Sequence, residues 1–144
     1  MFIKQLSVFI ENKEGRLGEV LDVLKKKQVS VISLSLADTS EYGLLRMITN
    51  DPQAGQVALK EQGFAAMLSD VLAVKLSHHV GSLQEILSHV CEAGLNVEYM
   101  YALSNKEDDA SIICKISNGD EAARLLKSKD VELYSQEDLV RIFR

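Results

Sequence analysis

Apolar positions along this chain alternate between two periods, and the order in which the periods change occurs twice. The run 6–10 carries Leu6, Val8, Phe9 and Ile10 and predicts a short strand. After a polar loop, Leu17, Val20, Leu21 and Leu24 recur at helical spacing. Two β-rich runs follow, 29–37 and 44–49, joined by a polar turn around Thr39, Ser40 and Glu41. A second helix is predicted from Asp51 and Pro52, because proline suits the first helical turn. A last strand is expected near 64–68. The second half gives the same succession. A strand is predicted at 71–76, and a helix follows on Leu83, Ile86, Leu87 and Val90. Strands at 95–103 and 111–116 flank an acidic turn at 105–109, then come a helix from Gly119-Asp120 and a strand near 131–134. The tail 135–143 opens with Ser135-x-x-Asp138, a capping pattern that predicts a short helix.

Laying residues 7–36 over residues 73–102 makes the repetition explicit. Gly15 falls on Gly81, Leu17 on Leu83, Val20 on Ile86, Leu21 on Leu87 and Val31 on Val97, each pair 66 positions apart. Further on, Ile48-Thr49-Asn50 meets Ile116-Ser117-Asn118 at a spacing of 68, which predicts a longer hairpin in the second copy. Lys25, Lys26 and Lys27 near the first helix's end suit the negative end of its dipole. Gly94 is a natural helix stop in the second copy, where the first has Gln28.

Elements in the order βαββαβ imply an α+β fold: two ferredoxin-like repeats, each an antiparallel four-stranded sheet with both helices on one face. The expected division is 1–69 and 70–144, since no Gly/Ser/Pro-rich linker separates the copies. A tight chain reversal is expected at Ser69-Asp70. Units of about seventy residues bury little surface, so the two are expected to pack on each other.

Composition narrows the function. The chain is 47% hydrophobic and 26% charged, which is ordinary for a globular protein. Its 16 basic and 21 acidic residues give a net charge of −5, so phosphate-driven nucleic-acid binding has no electrostatic support. No apolar run reaches membrane-spanning length, and the first fifteen residues turn polar too soon for a signal peptide. Cys91 and Cys114 both stand among apolar residues and are read as reduced core thiols of a cytoplasmic protein. No phosphate loop, His-Glu-x-x-His, Cys-x-x-Cys or Gly-x-Ser-x-Gly pattern occurs. His78, His79 and His89 complete no metal-ligand spacing and are read as exposed loop histidines, so neither metal nor cofactor is expected.

What remains is the loop Glu11-Asn12-Lys13-Glu14-Gly15-Arg16-Leu17-Gly18. A glycine just before a helix lets the backbone turn so that free N–H groups can face a ligand. Those donors and the helix dipole favour a carboxylate. Asn12 can donate and accept at once, which suits a zwitterion. The competing reading is an ordinary capping turn.

The repeated strand–(Asn/Asp)-x-x-Gly-x-Leu–helix–strand pattern resembles the ACT domain, a ligand-binding module of amino-acid-regulated proteins. Residues 9–36 resemble the start of the small regulatory subunit of acetohydroxyacid synthase, and the tandem arrangement over the whole chain resembles stand-alone double-ACT proteins of bacteria. The resemblance implies a ligand held between two ACT units. It carries Asn12, Gly15 and Leu17, with Lys13 and Arg16 in the same loop, and Asn96 at the head of the neighbour's second strand. Departures are also present. Glu14 and Val80 stand where the family usually has proline, and the mirror site would pair His78 with Ser30. The expected function is a non-catalytic sensor of a free amino acid, forming a homodimer. The alternative is a regulatory subunit or interaction module docking onto a partner enzyme of amino-acid biosynthesis, such as acetohydroxyacid synthase.

Overall fold

The computed structural model describes residues 2–39, 41–77, 79–103 and 110–142. Ser40 of the first expected turn, the acidic turn at 105–109, His78 and Phe143 of the tail lie outside the described residues. The elements are β1 (Ile3–Glu11), α1 (Arg16–Lys26), β2 (Val31–Asp38), β3 (Tyr42–Thr49) and α2 (Pro52–Glu61). Then come β4 (Ala65–Lys75), α3 (Ser82–Glu92), β5 (Val97–Leu103), β6 (Ser111–Ile116), α4 (Gly119–Ser128), β7 (Leu133–Tyr134) and α5 (Gln136–Ile142). Contacts divide the chain into two compact units. One is Lys4–Ser69; the other runs from Asp70 onward and also takes Phe2 and Ile3.

The first unit has β3 between β2 and β1, antiparallel to both, with β4 beside β1. Alternation along β1 points Leu6, Val8 and Ile10 to one side, where they meet Val20 and Leu24 of α1, Leu59 of α2, and Leu45 and Met47 of β3. Gly55 lets α2 sit close: a Cβ there would lie 2.9 Å from Leu6 Cδ2. The second unit repeats the plan, with β6 between β5 and β4 and β7 on β4. Its core joins Leu72, Val74, Ile86, Val90, Ile112 and Leu126. Both units are thus ferredoxin-like, with helices covering one face of an antiparallel sheet.

Four expectations need correction. No chain reversal occurs at Ser69-Asp70: β4 is one uninterrupted strand, serving as the last strand of the first repeat and the first of the second. The hairpin spacing is also smaller than the sequence suggested. Val8 pairs Leu45 and Val74 pairs Ile112; Leu34 pairs Met47 and Met100 pairs Cys114. The offset is therefore 66 through the second strand and 67 from the third, so the second hairpin is longer by one residue. Asp51 accordingly matches Asn118, and each caps the helix after it by accepting an N–H from Ala54 or Glu121. Lastly, Cys91 is exposed, on the outward side of α3, whereas Cys114 is buried on β6. His89 likewise lies in α3 and not in a loop.

The left-handed positions recur with the same offsets. Gly15 and Gly81 precede the first helix of each repeat at φ 83 and 89. Gln28 and Gly94 follow those helices at φ 58 and 75, so the glutamine accepts the conformation that glycine takes freely.

Candidate functional site

The loop from β1 into α1 is built mostly by its backbone. The Asn12 N–H donates to the Glu41 carbonyl at 3.0 Å, and the Lys13 N–H donates to the Glu11 carbonyl at 2.9 Å. The Asn12 side chain, exposed, donates from Nδ2 to the Thr39 carbonyl at 3.3 Å, tying the loop to the β2–β3 turn. Asn12 does not cap α1. Gly15 is the N-cap residue, and no side chain bonds at that cap.

At the helix start, the Arg16 N–H donates to the Lys13 carbonyl at 3.3 Å and the Glu19 N–H to the Gly15 carbonyl at 2.9 Å. Among the described residues, the N–H groups of Leu17 and Gly18 have no hydrogen-bond acceptor. Beyond Gly15's chain neighbours, no heavy atom lies within 4 Å of the place its Cβ would occupy. Glycine is needed there for its backbone angle, and the space beside it is open. Two donors, the positive end of α1 and open space together suit a carboxylate. The Leu17 side chain turns inward and packs on the core.

The charged side chains of the loop are engaged with one another. Lys13 pairs with Glu11 at 3.4 Å, and Arg16 pairs with Glu19 at 2.9 Å and Glu11 at 3.5 Å. Arg16 lines a cleft of about 620 Å³ enclosed by the end of β1, one side of α1 and the turn from α2 into β4. Sequence reading missed this cleft. Its lining residues Ile10, Val23 and Phe64 come from β1, α1 and the turn before β4 and share no local motif.

The second repeat builds its helix start in the same way. The Ser82 N–H donates to the His79 carbonyl, Glu85 N–H to the Gly81 carbonyl, and Leu83 and Gln84 N–H have no acceptor among the described residues. Its side chains differ. Ser77 Oγ lies 2.9 Å from His79 Nδ1, and His79 Nε2 lies 3.3 Å from each carboxylate oxygen of Glu85.

The structure brings Asn12, Lys13, Gly15, Arg16 and Leu17 together within one unit, while Asn96 belongs to the other. Asn96 is exposed just before β5, and its N–H donates to Ser117 Oγ at 2.9 Å while its carbonyl accepts from the Ser117 N–H at 2.9 Å. At the matching place, Ser30 N–H donates to Asn50 Oδ1 at 2.8 Å and its carbonyl accepts from the Asn50 N–H at 3.1 Å. These reciprocal pairs close the β-strand ends of both repeats. Among the described residues, no three His, Cys, Asp or Glu side chains are placed to hold a metal ion. No described helix is long and apolar enough to cross a membrane.

Residues 1–143 match the ACT domain pair family. The crystal structure of protein BT0572 from Bacteroides thetaiotaomicron is similar at 37% identity and a TM-score of 0.92, covering 98% of this chain and 97% of that one. The regulatory subunits of aspartate kinase from Thermus thermophilus (ligand-free form) and Thermus flavus are each 19% identical, with TM-scores of 0.61 and 0.60. Each match covers 87% of this chain, and 91% and 88% of those subunits respectively. These two share the fold. No curated protein sequence matches the chain.

Proposed function

The chain belongs to the ACT domain family as a tandem pair, and on that premise we propose that it is a non-catalytic sensor of a free amino acid. The observation that carries this reading is the start of α1. There the unbonded N–H groups of Leu17 and Gly18 stand behind a left-handed Gly15 with open space beside it. They would take the ligand's carboxylate, helped by the helix dipole. Asn12 and Lys13 line the same loop, and Asn96 is the residue of the second repeat we assign to binding. Both of its cysteines are free, which fits a reducing cytoplasm.

A ligand acts on such a protein only by binding one state better than another. The states here are those of a homodimer or of a complex with a partner enzyme. Likeness to the kinase subunits at 19% identity supports the fold and names no partner for this chain. Equilibrium dialysis against a mixture of the free amino acids, read by mass spectrometry, tests the reading. Retention of one amino acid or a small related group is expected. Retention of none would leave docking onto a partner enzyme as the function.

A further inference from the structure

The same place is hollow in both repeats, and the two hollows are unequal. In the second repeat the far end of β4, α3 and the turn from α4 into β7 enclose a cleft of about 290 Å³, against about 620 Å³ in the first. Matching residues line both: Ile10 and Leu76, Glu19 and Glu85, Val23 and His89, Phe64 and Val131. Two exchanges favour the larger first cleft. Ala58, only 3% exposed, lines it where the matching position of α4 is Leu125, and Val23 replaces an imidazole.

The first cleft has the chemistry of a small-molecule site. Its volume lies in the usual range, roughly 300–1,000 Å³. Ile10, Val23, Ala58 and Phe64 supply apolar surface, and the rim carries three acids (Glu11, Glu19, Asp22) with three bases (Arg16, Lys26, Lys27). These charges are held in exposed pairs, Arg16 with Glu19 and Lys26 with Asp22, both at 2.9 Å. Pairs of that kind are worth little and are readily exchanged for a ligand's charges. Among the described residues Lys27 has no ion pair. An anion alone would meet three carboxylates, and a cation alone would meet three bases. A molecule carrying both charges on an apolar body matches rim and interior together.

We propose that the first repeat's cleft binds a small zwitterion with an apolar side chain, of the leucine or phenylalanine type, and that the second repeat's cleft does not. This site is separate from the backbone cradle at Leu17 and Gly18.

The test is a ¹⁵N–¹H NMR titration of the full chain with L-phenylalanine, 3-phenylpropionate and phenethylamine. Saturating shifts at Ile10, Val23, Ala58 and Phe64 are expected with L-phenylalanine, and roughly tenfold or weaker binding of either single-charge analogue, each lacking one charged contact. Ala58→Leu and Val23→His, which copy the second repeat, should each lower affinity by roughly tenfold; using both guards against one failing to fold. Shifts confined to residues 15, 17, 18 and 96 would overturn the cleft and leave the loop reading standing. Shifts nowhere would remove the cleft proposal and leave the loop reading to dialysis against the full amino-acid mixture. Equal binding of a single-charge analogue, or unaltered affinity in both variants, would also overturn the proposal.

Discussion

Gly15 and Asn12 separate two kinds of residue on one loop. Gly15 sits at φ 83 with room for a methyl group, so Gly15→Ala meets no neighbour and suffers only the left-handed backbone. Its expected cost is about 1–2 kcal/mol of stability, read by urea denaturation. Asn12 holds the Thr39 carbonyl from an exposed position. Asn12→Ala should cost little stability, about 0.5–1.5 kcal/mol, yet weaken amino-acid binding roughly five- to a hundredfold. Asn96→Ala should weaken binding over the same range. Variants that melt earlier but bind normally would make both asparagines mere ties of turn and strand end. The sequence made Asn12 legible as a polar residue before a helix. It could not show the Thr39 acceptor, 27 positions away, because that contact exists only once the hairpin is folded. The cysteines teach the same lesson, since Cys91 follows buried Val90 directly but faces outward. Burial pushes the Cys114 thiol up to about 12 from 9.0. At pH 8 Ellman's reagent should therefore titrate one thiol in the native protein and the second only on unfolding. With its folded value raised, Cys114 leaves stability unaffected below pH 9 and lowers it as pH climbs from 9 toward 12.

Elements were legible wherever a period ran unbroken. The spacing of Leu17, Val20, Leu21 and Leu24 gave α1, and its copy gave α3. Strand ends were harder. Ser69-Asp70 reads as a polar break, yet β4 passes through it, because a strand's hydrogen bonds use the backbone whatever the side chains. The sequence makes the second hairpin one residue too long because the two Ile-x-Asn triplets match out of phase, while Val8 pairing with Leu45 and Val74 with Ile112 fixes the true alignment. Capping chemistry carried through at α5. Ser135 N–H donates to Asp138 Oδ2 at 2.8 Å, and Asp138 N–H donates to Ser135 Oγ at 3.1 Å, the reciprocal box its spacing implied. The backbone bond from Ser135, then its hydroxyl, hold the Asp138 carboxyl below its ordinary 3.8. Since the folded value is depressed, this stabilisation is present above pH 3.8 and is lost as pH falls through the folded value. Asp138→Asn should flatten that acid limb in melts between pH 2 and 5, while leaving binding unchanged. An unaltered limb would place the acid sensitivity elsewhere.

For the whole molecule, two expectations follow, one from its edge strands and one from the proposed ligand. Each unit ends on an edge strand, β2 in the first and β5 in the second. On β2, Leu34 and Leu36 are each 45% exposed, an apolar edge that small sheets cover by pairing. The protein should therefore be at least a dimer, and sedimentation equilibrium returning the 16.0 kDa monomer at high micromolar concentration would remove this expectation. If an amino acid is the effector, it must also stabilise the native state by mass action. At a hundred times its dissociation constant the gain is about 2.7 kcal/mol, which raises the melting temperature of a chain this size by roughly several degrees. A screen of the twenty amino acids at millimolar concentration should show that rise for one ligand or a chemically related few. The rise, measured from each variant's own ligand-free melting temperature, should shrink in Asn12→Ala, because the variant loses affinity. A uniform absence of shift would turn the function toward docking. An equal shift with every amino acid would point to general solvation of the surface, since a built site must discriminate among side chains.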